Sequence, residues 1–360
     1  MNPTDIVRQR LHNQHLTGTS FENPTDVVKW LGAVQSQDYG GAKWALGLRS
    51  QGIADDDLDQ AFNEGKIIRT HVMRPTWHFV DPVDIRWLLE LTAPRVHAYN
   101  AYYYRQLELD DALIQRSKAT IVNALQGGNY LTRSELGERL QDIGVTADGV
   151  RLAYLIGFSE LDGIICSGPR KGKQFTYALL DERAPQTKRL EREEALAKLT
   201  QRYFTSHGPA TIQDFAWWSG LTIADTKMGI EMVKSQLGNE VIDGQTYWFT
   251  ASMSTAPIQD AVTTLHMLPN YDEYTVAYKD RSAIYDPRND QYLDARGNFL
   301  FNHALVIDGR VRGSWKRTFK KGAALLEFAP FMPLREAEKE ALEIESRRYG
   351  AFLKMPTIVR

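Results

Sequence analysis

A helix-start signature that comes three times, short β-rich runs about a turn dipeptide after each, and a C-terminal segment of different texture predict an α+β chain: three tandem winged helices, then a β-rich segment and a terminal helix. The signatures are Asn23-Pro-Thr-Asp26 before Val27, Val28, Trp30 and Leu31; Thr132-Arg-Ser-Glu135 before Leu136 and Leu140; and Thr211-Ile-Gln-Asp214 before Phe215, Ala216 and Trp218. In each, a side-chain oxygen stands ready to accept an orphan N–H of the first turn. An acid three residues on favours the positive helix end.

The elements follow in order. The first unit, residues 1–105, closes on runs 67–73 and 76–80 about Arg74-Pro75. The second, 106–188, has a helix over 115–125, Gly127-Gly128, the capped helix and a helix over 148–161; its last runs are 164–167 and 175–180, about a Gly/Pro/Lys-rich turn. The third, 189–255, has a helix over 193–204, His207-Gly-Pro209, the capped helix, a helix over 223–237, and runs 241–242 and 246–249 about Asp243-Gly244. Asp-Gly between β-rich runs is a strong hairpin signal. Helix, capped helix, helix, hairpin is the order of a winged helix, although caps and hairpins recur in many mixed proteins. The remainder, 256–360, has strand-like runs at 304–307, 310–313 and 325–328, with Asp308-Gly309 between the first two, and a charged amphipathic helix over 334–353.

A chain of 360 residues has room for a large core, and its formal charge of −2 excludes a uniformly basic nucleic-acid binder. Charge is instead local. Arg310 to Lys321 carries Arg310, Arg312, Lys316, Arg317, Lys320 and Lys321 with no acid, and Arg170, Lys171 and Lys173 form a second cluster. No apolar stretch is long enough to span a membrane, and the N-terminus lacks a secretory pattern. Cys166 is the only cysteine, so an intramolecular disulfide and a thiolate-rich zinc site are excluded, and a reducing cytoplasm is expected. No His/Cys/Asp/Glu spacing reads as a metal site and no Gly-rich nucleotide loop is present, so no cofactor is expected.

Five ordered stretches resemble one family, the bacterial AlkZ/YcaQ-type winged-helix DNA glycosylases: Val34-Gln-Ser-Gln-Asp38; Met73-Arg-Pro-Thr-Trp-His78; Ser206-His-Gly-Pro-Ala-Thr211 with Asp214-Phe-Ala-Trp-Trp-Ser-Gly220; Leu268-Pro-Asn-Tyr-Asp-Glu-Tyr274 with Tyr278-Lys-Asp-Arg281; and Gly309-Arg-Val-Arg-Gly-Ser-Trp-Lys-Arg317. Gln35-Ser-Gln37 matches the Gln-x-Gln motif of the AlkZ-like branch; the YcaQ-type branch has an acid at the second glutamine. Ser36 departs from the small or aliphatic residue usual between the two, a change expected to touch packing more than chemistry. The resemblance implies winged helices around a DNA-binding channel, monofunctional release of N-alkylated purines from double-stranded DNA and, in some members, release of interstrand crosslinks.

A glutamine is no general base near neutral pH, but its carbonyl accepts and its amide donates hydrogen bonds. Ordinary glycoside hydrolysis needs two carboxyl groups, one of them to protonate the leaving group. An N7-alkylguanine or N3-alkyladenine already carries positive charge and leaves unprotonated. Two amides then suffice to orient water and the sugar, which makes Gln35 and Gln37 the catalytic candidates. Residues two apart do not share a helix face, so the pair is expected at a helix end, beside Gly40-Gly41. A pair of exposed helix-end glutamines would look the same without the ordered matches.

Asp38, His71 and His78 are candidates for an accessory role. Asp38 reads equally well as a turn residue, and a strand His is more often structural. Trp77 reads as core before a ring stacked on DNA, and Asp272-Glu273 between Tyr271 and Tyr274 as a buried network before a working carboxylate pair. For holding DNA the candidates are Arg310, Arg312, Lys316, Arg317 and Lys320 at phosphates, Trp315 and Phe319 at bases, and Arg170, Lys171 and Lys173 at a wing tip. A solvated edge hairpin rich in Lys and Arg has the same composition. A non-catalytic winged-helix transcriptional regulator, the rival reading, needs basic recognition helices; 148–161 and 223–237 are poor in Arg and Lys. A scaffold of packed winged helices is the third reading. A monomer is the simplest state for a repair enzyme.

Overall fold

The structure, a computed structural model, describes residues 1–250, 263–292 and 303–360; the expected boundary between 255 and 256 lies outside them. In chain order, helix α1 spans Pro3–Asn13, α2 Pro24–Leu31, strand β1 Val34–Gln35, α3 Tyr39–Gly47, α4 Asp55–Asn63, β2 Ile68–Val72, β3 Arg74–Val80 and α5 Ile85–Gln106. Then come α6 Asp111–Leu125, β4 Leu131–Thr132, α7 Arg133–Gln141, α8 Gly149–Leu161, β5 Ile165–Ser167, β6 Thr176–Leu179 and α9 Leu180–Arg183. Helices α10 Arg192–Ser206, α11 Ile212–Ser219 and α12 Ile223–Val233 precede β7 Leu237–Ile242 and β8 Gln245–Thr250. The last described elements are β9 Leu265–Met267, α13 Glu273–Val276, β10 Ala304–Ile307, β11 Arg310–Lys320, β12 Ala323–Pro330, α14 Glu336–Leu353 and β13 Thr357–Val359.

Two of the three signatures cap their helices as expected. Thr132 accepts the Glu135 N–H while Glu135 accepts the Thr132 N–H at α7. Thr211 and Asp214 make the same reciprocal pair at α11. At α2, Asn23 is the cap residue but its side chain makes no cap bond, so Pro24 at the first turn does more to set the start. Two further boxes, Asn2 with Asp5 and Thr222 with Asp225, start α1 and α12.

Two compact units are present, one of 1–58, 197–218 and 222–360, the other of 59–196 and 219–221. In the second unit, β4, β6 and β5 form a three-stranded antiparallel sheet in the order β4-β6-β5, following the order α6-β4-α7-α8. Its core comes from helix faces at three- and four-residue spacing: Ile114, Ile121 and Leu125 of α6, Leu136 and Leu140 of α7, Leu152, Leu155 and Ile156 of α8, with Ile165 and Tyr177 beneath. Cys166 lies buried on β5, and burial pushes its thiol up to about 12. Strands β2 and β3 pair antiparallel, with a register shift between His71 and Val72. The turn between them is Met73, at φ 64°, not Arg74-Pro75. Gly220 sits against that turn: a Cβ there would come 2.2 Å from the Met73 carbonyl oxygen, so only glycine fits.

The first unit holds a five-stranded sheet in the order β13-β12-β11-β10-β9, and the separate β7-β8 hairpin. Both Asp-Gly pairs turn hairpins, Asp243-Gly244 with φ 49° and 78°, Asp308-Gly309 with 47° and 74°. The core packs Trp44 against Tyr349 and Phe352, and Tyr203 against Phe204, Phe215 and Trp218.

Candidate functional site

The two glutamines lie between α2 and α3, with Gln35 in β1 and Gln37 in the bend after it. The expected helix end is therefore a short strand and bend. Gln35 is 8% exposed, Ser36 is buried and Gln37 is exposed to solvent. One side chain of the pair is thus enclosed and the other presented to solvent.

What holds this segment is a buried polar network. Glu273 of α13 accepts the Gln35 backbone N–H at 2.9 Å through Oε1 and the Trp218 indole N–H at 2.9 Å through Oε2. His207 Nε2 lies 3.6 Å from the same Oε2, and its ring stacks on Tyr203 at 4.9 Å. Burial pushes the imidazole pKa down, so this His is neutral near pH 7. Next to it, the Arg49 guanidinium grips both oxygens of Asp272, at 2.9 and 2.8 Å, and donates to the Gln14 and Ala45 carbonyls. Arg10 lies 3.6 Å over the Tyr278 ring and donates to the Pro209 carbonyl. Asp214 accepts the N–H groups of Lys279 and Asp280. The stretches Ser206 to Gly220, Leu268 to Tyr274 and Tyr278 to Arg281 are thus largely internal framework. Asp272 and Glu273 form the buried network expected of them.

Asp38 caps α3, its Oδ1 accepting the Gly41 N–H at 3.0 Å. Its Oδ2 accepts from the Asn270 amide at 3.1 Å and lies 3.7 Å from the Arg317 guanidinium. Arg317 also donates to the Tyr349 hydroxyl at 2.7 Å. The basic strand β11 thereby passes beside the residue that follows Gln37. Along β11 burial alternates. Arg310, Arg312 and Lys316 are exposed while Val311, Gly313 and Trp315 are buried; Phe319 and Lys320 are exposed where β11 nears the Lys321-Gly322 turn to β12. Phe319 is 55% exposed.

Trp315 is a correction to the sequence reading. It is 3% exposed, its indole N–H donates to the Leu268 carbonyl at 2.7 Å, and its ring packs edge-on to Tyr349. The period-two pleat that exposes Lys316 turns Trp315 inward, so its ring is not presented to bases. Arg317 is likewise held, by Asp38 and Tyr349, leaving Arg310, Arg312, Lys316 and Lys320 as the outward cations.

The other candidates lie in the second unit. His71 Nδ1 is 2.5 Å from Glu160 Oε2, with Trp77 against its ring at 4.4 Å. His78 is buried, with Nδ1 3.0 Å from the Thr76 carbonyl oxygen. The Arg170 backbone N–H donates to Asn63, and its guanidinium lies 3.5 Å from Asp59; Lys171 pairs with Glu135 at 2.7 Å. Lys173 is exposed. Sequence reasoning did not place Arg317 beside Asp38, nor Glu273 beneath Gln35. Both contacts span more than 230 residues, and nothing local encodes them.

Residues 28–352 match the family model described as DNA glycosylase AlkZ-like. Among curated proteins, the "Interstrand DNA cross-link repair glycosylase" of Streptomyces sahachiroi is 23% identical, with 94% of each chain covered. Among solved structures, the Streptomyces sahachiroi DNA glycosylase AlkZ superposes with a TM-score of 0.82 over 100% of both chains, at 21% identity.

Proposed function

This chain belongs to the AlkZ-like DNA glycosylase family, and from that premise we propose that it hydrolyses the N-glycosidic bond of cationic N-alkylated purines, N7-alkylguanine and N3-alkyladenine, in duplex DNA. The observation that carries the reading is the Gln35–Asp38 segment: an exposed Gln37 beside a fixed Gln35, next to a strand of outward cations.

In the proposed reaction water adds to C1′ as the C1′–N bond breaks. The purine departs neutral because it began as a cation, and the water proton passes to solvent. Products are the free base and an abasic site. The carbonyls of Gln35 and Gln37 accept from the attacking water and set its line of approach, and the electron-rich amide oxygens favour the developing oxocarbenium ion. Neutral, undamaged bases are poor substrates, because the two acids beside these amides are already engaged, Asp38 with the Gly41 and Asn270 N–H groups and Glu273 with the Gln35 and Trp218 N–H groups. Asp38 is occupied in capping α3 and facing Arg317, so its accessory role is to hold the segment. Arg310, Arg312, Lys316 and Lys320 meet phosphates, with Lys173, Arg170 and Lys171 as a second contact.

Three winged helices within 1–105, 106–188 and 189–255, the β-rich segment of 256–360, and the channel implied by the resemblance complete the proposal. It is supported by the order α6-β4-α7-α8-β5-β6 in the second span and α10-α11-α12-β7-β8 in the third. The protein acts as a monomer, in the cytoplasm, without metal or cofactor. Crosslinks between N7-alkylated guanines fall within the same chemistry.

The test is base release. Duplex DNA carrying N7-methylguanine should yield free base and alkali-labile sites with the wild type. Gln35→Ala and Gln37→Ala should each lower the single-turnover rate by a factor of about 10² or more, with DNA affinity and melting temperature little changed. Full activity in both variants would overturn the assignment.

A further inference from the structure

The second half of α5 is two-faced. Val96, Asn100 and Tyr104, four apart, turn inward, while Arg95, Tyr99, Tyr102, Tyr103 and Arg105 are exposed. Tyr99, Tyr102 and Tyr103 are 66%, 59% and 43% exposed, a concentration of aromatic surface that a solvated helix face does not require. No acid occurs between Glu90 and Glu108. The rings are also organised. Tyr103 stacks on Tyr154 of α8 at 5.5 Å and 25°, and Tyr102 stands edge-on to Tyr103 at 5.5 Å. On the inward side of α5, against α8, a cavity of about 130 Å³ is lined by His71, Asn100, Tyr104, Tyr154 and Phe158 among others; Tyr154 is the residue it shares with the exposed face.

A tyrosine offers a π-face to a planar ring and a hydroxyl to water. Several such faces with arginines at either end suit bases strung on a phosphate chain. A duplex hides its base faces within the stack, so this surface selects bases that have lost their partners. Arg95 and Arg105, with no acid between them, supply the charge complement. We infer that the tyrosine face of α5, continued by Tyr154, is a stacking platform for unpaired DNA bases. This goes beyond base release and takes from that reading only that the ligand is nucleic acid.

The test is fluorescence anisotropy of the full chain with undamaged probes, an oligothymidylate of about 20 nucleotides and a duplex of equal length, long enough to cover several stacked bases. Tyr99→Ala/Tyr102→Ala/Tyr103→Ala should weaken single-strand binding tenfold or more and leave duplex binding within about twofold, stacking being the larger share of the former. Replacement of the same three by Phe, which keeps the rings, should restore it. The inference falls if wild type does not bind the oligothymidylate, or if the Ala variant binds it equally well. It also falls if sedimentation shows wild type as a dimer that the Ala variant dissolves, for the face would then receive a second copy. Base release from methylated duplex is scored separately. Its loss with the platform intact overturns the glycosylase reading alone; its persistence without single-strand binding overturns only the platform.

Discussion

Arg49 and Asp272 are both buried, and each oxygen of the carboxylate takes a guanidinium hydrogen bond. Removing one partner strands the other in a medium that cannot solvate it. Arg49→Met should therefore cost about 3–5 kcal/mol, measured by urea denaturation. Glu345 poses the opposite problem. It is buried near Arg348, 3.7 Å away, and burial raises its carboxyl pKa to about 7. The folded state thus holds a proton that the unfolded chain gives up near the ordinary glutamate value of 4.5. As pH climbs from that value to about 7, the unfolded state binds fewer protons than the folded one, so stability falls, and it levels off above. Glu345→Gln should remove this slope. Its unfolding free energy, from urea denaturation, should gain on the wild type from pH 5 to 7, by up to about 3 kcal/mol at pH 8. A constant difference across pH would refute the assignment.

At the scale of elements, the legible parts were those whose signal is local. The capping box at Thr132 and the two Asp-Gly turns announce themselves within four residues, and the structure has all three. Thr132→Ala should lower stability by about 1 kcal/mol in thermal denaturation, because the Glu135 N–H loses its acceptor. Less legible were α1, α5 and strands β9 and β13. Helix α5 carries Pro94 and tyrosines on its outer face, which blur the amphipathic period. Strands β9 and β13 are three residues each, too short for a period to show. The same limit applied to the candidate site. Gln35 and Gln37 were found by motif, but their setting in a strand and bend was not, since a two-residue strand is defined by its partners. Trp315 was misread because a basic, aromatic run does not say which side of the pleat faces inward. That depended on Tyr349 and Leu268, elsewhere in the chain.

For the whole molecule, a net charge of −2 coexists with a local run of cations, so DNA binding by this chain should depend steeply on salt. Arg312→Ala/Lys316→Ala/Lys320→Ala should flatten the log K against log[salt] slope by up to about 3 while leaving the fold intact, because all three side chains are exposed. An unchanged slope would remove β11 from the interface. Arg317 is excluded from that set because its loss would disturb Asp38 as well.

No helix of the described residues is long and apolar enough to cross a membrane. The molecule also keeps its single thiol inside, with an ionisation so unfavourable that almost no thiolate exists near neutral pH. If alkylated purines are its substrates, as proposed, the protein works among electrophiles whose preferred target in a protein is sulfur, and the burial of Cys166 makes it a poor quarry for them. Native protein treated with iodoacetamide should stay unlabelled and active until it is unfolded.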